Sequence, residues 1–276
     1  MFKFNRTSEF LVCIDSDGTV MDSMTIKHKK CFGPLFLETF NILTHKNEIL
    51  DYWNDVNLYK QTRGINRFQG LVKGLEYAKT FGYEFEGFEE FKNWVLKTKE
   101  FSERLLKEEI EKVSNNSCLK LALEWSKKVN LSIQALPIAS PFKGVKEAIK
   151  YINESVDVIG VSSANREAVE EEWSKHNIKK YFKAIACQDS GSKKKIIHDA
   201  LLLGYDRELT IMVGDALGDY KAAKENGIRF FPIIPQREEY SWKKLKDEGI
   251  KKLVNYQFDD DYQQQLIDEF FNSLSK

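Results

Sequence analysis

Two acidic residues separated by one serine follow the first apolar run of the chain. The run covers residues 10–14, and the segment DSDGT after it places Asp15 and Asp17 two positions apart. Two carboxylates at this spacing are costly to keep ionised side by side unless a cation is shared between them. Mg²⁺ suits such a pair, because it prefers oxygen ligands in octahedral geometry. A D-x-D-G segment also occurs in ordinary solvated turns, so this segment alone leaves both interpretations open.

Polar residues follow three later apolar runs in the same way. They are a serine pair, a lysine at a helix start and a second acidic pair: Ser162 and Ser163 after the run at 156–161, Lys193 after 182–187, and Asp215 and Asp219 after 209–213. A hydroxyl, free backbone amides and a lysine can together bind an anion such as a phosphate. Because serine, asparagine and aspartate are also common helix caps, each segment taken singly has a structural interpretation as well.

Five short apolar runs predict the elements that position these residues. They are nearly continuous rather than alternating, which is typical of strands covered on both faces in a parallel sheet. The runs lie at 10–14, 156–161, 182–187, 209–213 and 230–234, and helical patterns separate the later ones at 143–153, 193–203 and 219–226. We therefore predict a doubly wound α/β fold, in which ligands collect at the carboxyl ends of the strands.

The interval 24–138 departs from this alternation, because it shows helical periodicity and no strand-like run. An apolar stripe marks 94–113, formed by Leu105, Leu106, Ile110 and Val113, and similar patterns cover 26–43 and 117–130. We predict an all-helical domain over 24–138, inserted into an α/β core made of 1–23 and 139–276. Beyond Pro235 the chain is polar and aromatic, and we expect it to pack on the core and to end in a helix near 260–274.

The overall composition excludes several classes of protein. The chain has 42 Lys+Arg and 42 Asp+Glu, so its formal net charge of zero argues against a polyanion-binding protein. A hydrophobic fraction of 42% argues against a disordered chain. The four cysteines form no C-x-x-C pair, which favours buried, reduced thiols. No apolar stretch suits a membrane span or a signal peptide, so we expect a cytoplasmic protein without nucleic-acid or membrane partners.

Taken together, the four segments resemble the motifs of haloacid dehalogenase-superfamily phosphatases. DSDGT at 15–19, Ser162, Lys193 and GDALGD at 214–219 occur in the order of that family, each at the end of a predicted strand. The resemblance spans residues 9–235, and the set of four is far more specific than any one member. It implies a Rossmann-like parallel sheet with an inserted, mobile helical cap, close to the phosphoglycolate phosphatase and β-phosphoglucomutase-like branch.

The resemblance also implies a role for each matching residue. Asp15 would be the nucleophile that forms an aspartyl-phosphate, and Asp17 would be the general acid and base. Ser162 and Lys193 would hold the transferring phosphoryl oxygens, with Ser163 as a second choice for the serine. The metal would be Mg²⁺, held by Asp15, the backbone carbonyl of Asp17 and Asp215, with Asp219 in support.

Substrate choice would belong to the cap, where the signals are weaker. The segment Arg63-Gly64-Ile65-Asn66-Arg67 is similar to a cap loop of the β-phosphoglucomutase-like branch, whose basic residues contact the distal part of the substrate. On one helix, Arg63 and Arg67 would share a face. Two solvated arginines are an equally good interpretation. His28 is a third candidate, although it could simply lie on the first cap helix.

These observations predict a Mg²⁺-dependent hydrolase of phosphoric monoesters, acting on a small phosphorylated metabolite. The cap loop leaves a phosphomutase acting on a sugar phosphate as the alternative. A receiver-like protein that is switched by phosphorylation, or a non-catalytic protein, has less support, because every chemical position is filled. We expect a monomer or a homodimer.

Overall fold

The structure is a computed structural model that describes residues 4–98 and 100–274. The chain divides into two compact units, Met1–Met24 with Ile138–Lys276, and Thr25–Pro137. We call the first the core unit and the second the helical unit. Their bounds lie within one residue of the predicted domain bounds, while the function of the helical unit as a cap stays a prediction. No helix in the described part of the chain is long and apolar enough to cross a membrane.

A five-stranded parallel sheet forms the centre of the core unit. Its strands are β1 Leu11–Ile14, β2 Asp157–Val161, β3 Ala184–Ala186, β4 Thr210–Gly214 and β5 Arg229–Pro232. The spatial order is β3-β2-β1-β4-β5, so β1 lies between β2 and β4. Cys13 of β1 is opposite Ile159 on one side and Met212 on the other. Each of the five apolar runs overlaps one of the strands, and the predicted α/β class with a parallel sheet is confirmed.

Both faces of the sheet are covered, which explains why its strands are continuously apolar. Val12 and Ile14 belong to one hydrophobic cluster, whereas Leu11 and Cys13 belong to another. All four side chains are fully buried. Successive residues of a strand point to opposite faces, so a strand that is covered on both sides has no position for a solvated residue.

Among the described residues of the helical unit, helices make up all of the regular structure. They are α1 Met24–Lys27, α2 Gly33–Thr39, α3 Lys46–Asn54, α4 Arg67–Lys79, α5 Phe88–Lys97, α6 Glu103–Lys112 and α7 Ser117–Gln134, with π-helical turns at His28–Phe32 and Asp55–Tyr59. A separate hydrophobic cluster joins them, and it contains buried Phe36, Trp53 and Trp125. The stripe at 94–113 does not form one helix, because Thr98 is extended and Ser102 caps a new helix by accepting a bond from the Leu105 amide.

In the part of the core unit that the structure describes, seven helices cover the sheet. They are α8 Val145–Ile152, α9 Arg166–Lys175, α10 Lys193–Leu201, α11 Leu217–Asn226, α12 Glu238–Lys244, α13 Ile250–Val254 and α14 Asp260–Leu274, with a π-helical turn at Leu245–Gly249 and 3₁₀ turns at Lys179–Tyr181 and Gln188–Ser190. Gly227 ends α11 with φ +67°, in the left-handed conformation expected of a terminal glycine. Residues after Pro235 pack on the sheet through Trp242, Leu266 and Phe270. The four cysteines are free and buried.

Candidate active site

A tight turn at the end of β1 presents Asp15 at the carboxyl edge of the sheet. The Asp15 amide still donates to Val213 of β4, at 3.0 Å, so this residue continues the ladder. The turn then closes through the Ser16 carbonyl, which accepts from the amides of Val20 and Met21, both at 2.9 Å. Gly18 has φ +80°, in the left-handed region that favours glycine. The local sequence thus ends the strand sharply, and the nucleophile candidate lies directly before the turn.

Lys193 joins two of the predicted carboxylates. Its Nζ lies 2.7 Å from Asp15 Oδ1 and 2.6 Å from Asp219 Oδ1. Lys193 opens α10, where Ser192 caps the helix by accepting from the Lys195 amide. Because the strand order places β1 beside β4, residues that are far apart in the chain meet at one ammonium group.

The second acidic pair lies at the end of β4. Asp15, Asp215 and Asp219 are all buried, and each offers a carboxylate oxygen within 4.8 Å of the others. Asp219 Oδ2 also accepts from the Ala216 amide at 3.1 Å, so the residue caps α11 as well. A Cβ atom at Gly214 would lie 2.3 Å from the Asp219 side chain. Only glycine at position 214 leaves Asp219 room to approach Lys193.

Burial and neighbouring charges shift the pKa values of Asp15 and Lys193. Burial raises the pKa of Asp15 well above its usual range, although the ammonium of Lys193 opposes the shift. Repulsion from Asp219 and Asp215 raises the pKa of Asp15 further. Burial by itself would lower the pKa of Lys193, but Asp15 and Asp219 outweigh this effect and the pKa is raised. One lysine, paired with two of the three buried carboxylates, does not offset all of their charge, and the excess of oxygen donors suits a divalent cation.

Asp17 is held by a hydroxyl of the same turn. Its Oδ1 accepts a hydrogen bond from the Ser23 hydroxyl, and the Asp17 side chain is half-buried whereas Ser23 is fully buried. Hydrogen bonding of this kind fixes the rotamer of a group that must exchange protons.

The two serines after β2 differ in exposure. Ser162 is buried, its amide donates to Ala186 of β3, and its Oγ accepts from the Ala164 amide at 3.1 Å. Ser163 is exposed. Asn165 then caps α9 by accepting from the amides of Glu167 and Ala168. Ser162 continues the ladder at the carboxyl edge of the sheet, the edge at which Asp15 also lies.

Thr19 is a residue of the site that sequence reasoning missed. Its hydroxyl donates to Asp215 Oδ1 at 2.7 Å, and its side chain is fully buried. The bond connects the turn after β1 with the end of β4. A threonine inside the DSDGT segment was the available signal, but nothing in its spacing shows that its hydroxyl contacts an aspartate almost two hundred residues away.

The two arginines of the helical unit do not share a helix face. Gly64, with φ +71°, interrupts the chain between them, so α4 begins only at Arg67 and the predicted i, i+4 pairing on one helix is wrong. Neither arginine is fully solvated, because Arg63 is buried and Arg67 is half-buried. Arg63 is buried and donates to the Leu58 carbonyl at 2.8 Å. Arg67 donates to Ser126 Oγ and Asn130 Oδ1, at 3.1 and 2.7 Å.

His28 is also packed inside the helical unit. It is buried, and its ring stacks on Phe32 with a centroid distance of 4.7 Å. A substrate role for His28, Arg63 or Arg67 stays a prediction.

Comparison with known families gives the site its context. Residues 86–233, just over half of the chain, match the family described as haloacid dehalogenase-like hydrolase. The chain belongs to this family. The matched part includes Ser162, Lys193, Asp215 and Asp219. Members of the haloacid dehalogenase-like family are hydrolases, so the predicted family and enzyme class are both confirmed.

Solved structures of haloacid dehalogenase-like proteins share the fold. A predicted phosphatase from Clostridium acetobutylicum has 14% identity and a TM-score of 0.51, and the match covers 90% of this chain and 100% of that one. A predicted phosphoglycolate phosphatase from Haemophilus somnus 129pt also has 14% identity and a TM-score of 0.51, covering 82% of this chain and 86% of that one. At such identities the similarity shows the fold alone. No curated protein sequence matches the chain.

Proposed function

We propose that the chain is a Mg²⁺-dependent phosphatase that hydrolyses a small phosphorylated metabolite through an aspartyl-phosphate. The observation that carries this proposal is the buried cluster of three carboxylates around one lysine at the edge of a parallel sheet. With all three carboxylates ionised, such a cluster would carry a net negative charge and repel a phosphate. A bound divalent cation would offset that charge, which is why the proposal includes a metal.

The metal would be held by side-chain oxygens of Asp15 and Asp215 and by the backbone carbonyl of Asp17, with Asp219 in support. The donor set fits the group, because all the donors are oxygens, as Mg²⁺ prefers. When bound, Mg²⁺ would neutralise phosphate charge and polarise a phosphoryl oxygen. The remaining steps of the reaction would be carried out by side chains of the protein.

Asp15 would attack the phosphorus atom in line, so that a bond forms from its carboxylate oxygen as the ester oxygen leaves. Asp17, oriented by Ser23, would protonate the leaving oxygen and then take a proton from the water that hydrolyses the aspartyl-phosphate. Ser162 would donate its hydroxyl hydrogen to a phosphoryl oxygen, and Lys193 would neutralise another. Ser163 is the second choice for the serine role. The helical unit, as the proposed cap, would select the substrate.

Phosphate release from a panel of phosphorylated metabolites tests the proposal. We expect Mg²⁺-dependent release by the wild type and a loss of at least about 10³-fold in Asp15→Asn, which removes the nucleophile. Asp206→Asn is the matched control, because Asp206 is exposed and an asparagine there can still accept the bond from the Glu208 amide. Equal rates in wild type and Asp15→Asn would rule the proposal out. An isomerised sugar phosphate with little free phosphate would identify a phosphomutase instead.

A further inference from the structure

The indole of Trp242 reaches the turn that carries the nucleophile candidate. Trp242 lies in α12, is fully buried, and its Nε1 donates to the Thr19 carbonyl at 2.9 Å. The hydroxyl of the same threonine donates to Asp215 Oδ1 at 2.7 Å. Two hydrogen bonds that share one residue therefore connect α12 with a carboxylate of the proposed metal site.

The helix that carries Trp242 is itself fixed to the sheet. Ser241 Oγ accepts from the Ile234 amide just after β5 and donates to the Arg237 carbonyl, both at 3.0 Å. Lys244 donates to Glu269 of α14 at 2.8 Å. These hydrogen bonds hold the helix of Trp242 in place within the core unit. Trp242 lies beyond residues 86–233, the part of the chain that matches the family.

A buried indole needs an acceptor wherever it packs, so the bond alone does not identify a role. The identity of the acceptor, the Thr19 carbonyl, does point to a role. Thr19 is the residue whose side chain orients Asp215, and a shift of its backbone would move that hydroxyl. We propose that Trp242 is a positioning residue, which fixes Thr19 and through it the direction of the Asp215 carboxylate. This inference rests on the proposed function in one respect, namely the metal-binding role of Asp215.

Trp242→Phe keeps an aromatic ring in the core and removes only the N–H donor and part of the indole. Loss of a group that orients a metal ligand typically weakens metal binding by about 10- to 100-fold. We expect Mg²⁺ binding, titrated by calorimetry without any substrate, to weaken about tenfold in Trp242→Phe. Where a phosphorylated substrate is turned over, kcat at subsaturating Mg²⁺ should fall, whereas KM for that substrate should not change.

Two substitutions at Thr19 test the same pair of hydrogen bonds, which connects Trp242 with Asp215. Thr19→Val should weaken Mg²⁺ binding to a similar degree, and Thr19→Ser should restore it, because serine keeps the hydroxyl. The double variant Trp242→Phe with Thr19→Val should bind no more weakly than Thr19→Val alone, since both changes break one path. If Trp242→Phe fails to fold, Ser241→Ala loosens α12 while keeping the indole, and we expect a smaller loss of Mg²⁺ affinity in the same direction.

Trp125→Phe is the matched control. Trp125 is equally buried, and its indole also donates to a backbone carbonyl, that of Phe32 in the helical unit, at 3.2 Å. Its replacement should lower the melting temperature but leave Mg²⁺ affinity unchanged. Mg²⁺ affinity in Trp242→Phe equal to that of the wild type, or equal losses in both tryptophan variants, would overturn the positioning role. A wild type that binds Mg²⁺ but releases no phosphate would overturn the proposed function alone.

Discussion

Lys193 shows how much of the site depends on one side chain. Its ammonium group is the counter-charge for Asp15, directly after β1, and for Asp219, in the first turn of α11. The neighbouring lysine in the sequence differs completely, because Lys194 is exposed and pairs with Glu225 at the surface. Of these two adjacent lysines, Lys193 therefore pairs with buried carboxylates, whereas Lys194 forms an ion pair at the surface.

Replacing each lysine by methionine should show this difference. Lys193→Met leaves two buried carboxylates without their partner, and we expect the free energy of unfolding to fall by about 3 kcal/mol. Lys194→Met should change it by less than about 0.5 kcal/mol, because exposed ion pairs contribute little. Urea unfolding of both variants measures the difference. Similar losses in the two would mean that Lys193 is not the counter-charge described above.

At the scale of elements, the segment before β1 is fastened at the other end of the sheet. Asp157, the first residue of β2, is buried and accepts from the Thr7 and Ser8 amides at 2.7 and 2.9 Å. It also accepts from the hydroxyls of Thr7 and Tyr205, both at 2.6 Å. Burial alone would raise the pKa of Asp157, but these hydrogen bonds outweigh it and lower the pKa. One carboxylate thus fixes where β1 begins beside β2.

Asp157→Asn should therefore destabilise the protein in a pH-dependent way. Asparagine offers one acceptor oxygen where aspartate offers two, and we expect a loss of about 2 to 4 kcal/mol near neutral pH. Because the folded pKa lies below the unfolded value of about 3.9, the aspartate contributes fully above that pH. Its contribution fades as the pH falls from about 4 towards the lowered folded pKa.

The difference in unfolding free energy between wild type and Asp157→Asn, measured from about pH 7 to about pH 3, should narrow below about pH 4. Asp206→Asn, an exposed change, should follow the wild type throughout. A difference between wild type and Asp157→Asn that stays constant with pH would show that the charge of Asp157 is not what holds the segment.

At the scale of the whole molecule, the hydrophobic cluster of the helical unit is separate from the two clusters that cover the sheet, and the proposed metal site belongs to the core unit alone. Asp15, Asp215 and Asp219 repel one another without a cation, so a bound cation should stabilise the native state. A ligand that binds only the native state adds about 2.7 kcal/mol at a hundredfold excess over its Kd.

Mg²⁺ at that excess should therefore raise the free energy of unfolding by about 2.7 kcal/mol. Asp215→Asn should abolish most of this gain. Without Mg²⁺ the same variant should be no less stable than the wild type, because it removes one repelling charge and its amide oxygen can still accept from Thr19. Asp247→Asn, a change at a partly exposed residue paired with Lys243, should keep the full gain. An unchanged Mg²⁺ effect in Asp215→Asn would place the cation elsewhere.

Sequence by itself determined the fold class and the residues gathered at one edge of the sheet. Continuous apolar runs predict strands buried on both faces, and the carboxyl ends of parallel strands share an edge, so Asp15, Ser162 and Asp215 had to lie there. The split of the stripe at 94–113 into α5 and α6 was missed, because the apolar period continues across the cap at Ser102.

Only the tertiary structure decided which of those residues touch. The bond from Thr19 to Asp215, the lysine between Asp15 and Asp219, and the indole of Trp242 on the Thr19 carbonyl all join segments distant in the chain. These contacts follow from the order β3-β2-β1-β4-β5, which places β1 between β2 and β4. Local periodicity records which face of an element is buried, but it carries no information about which element lies alongside. The physical reason is that pairing between distant segments is set by packing of the complete core.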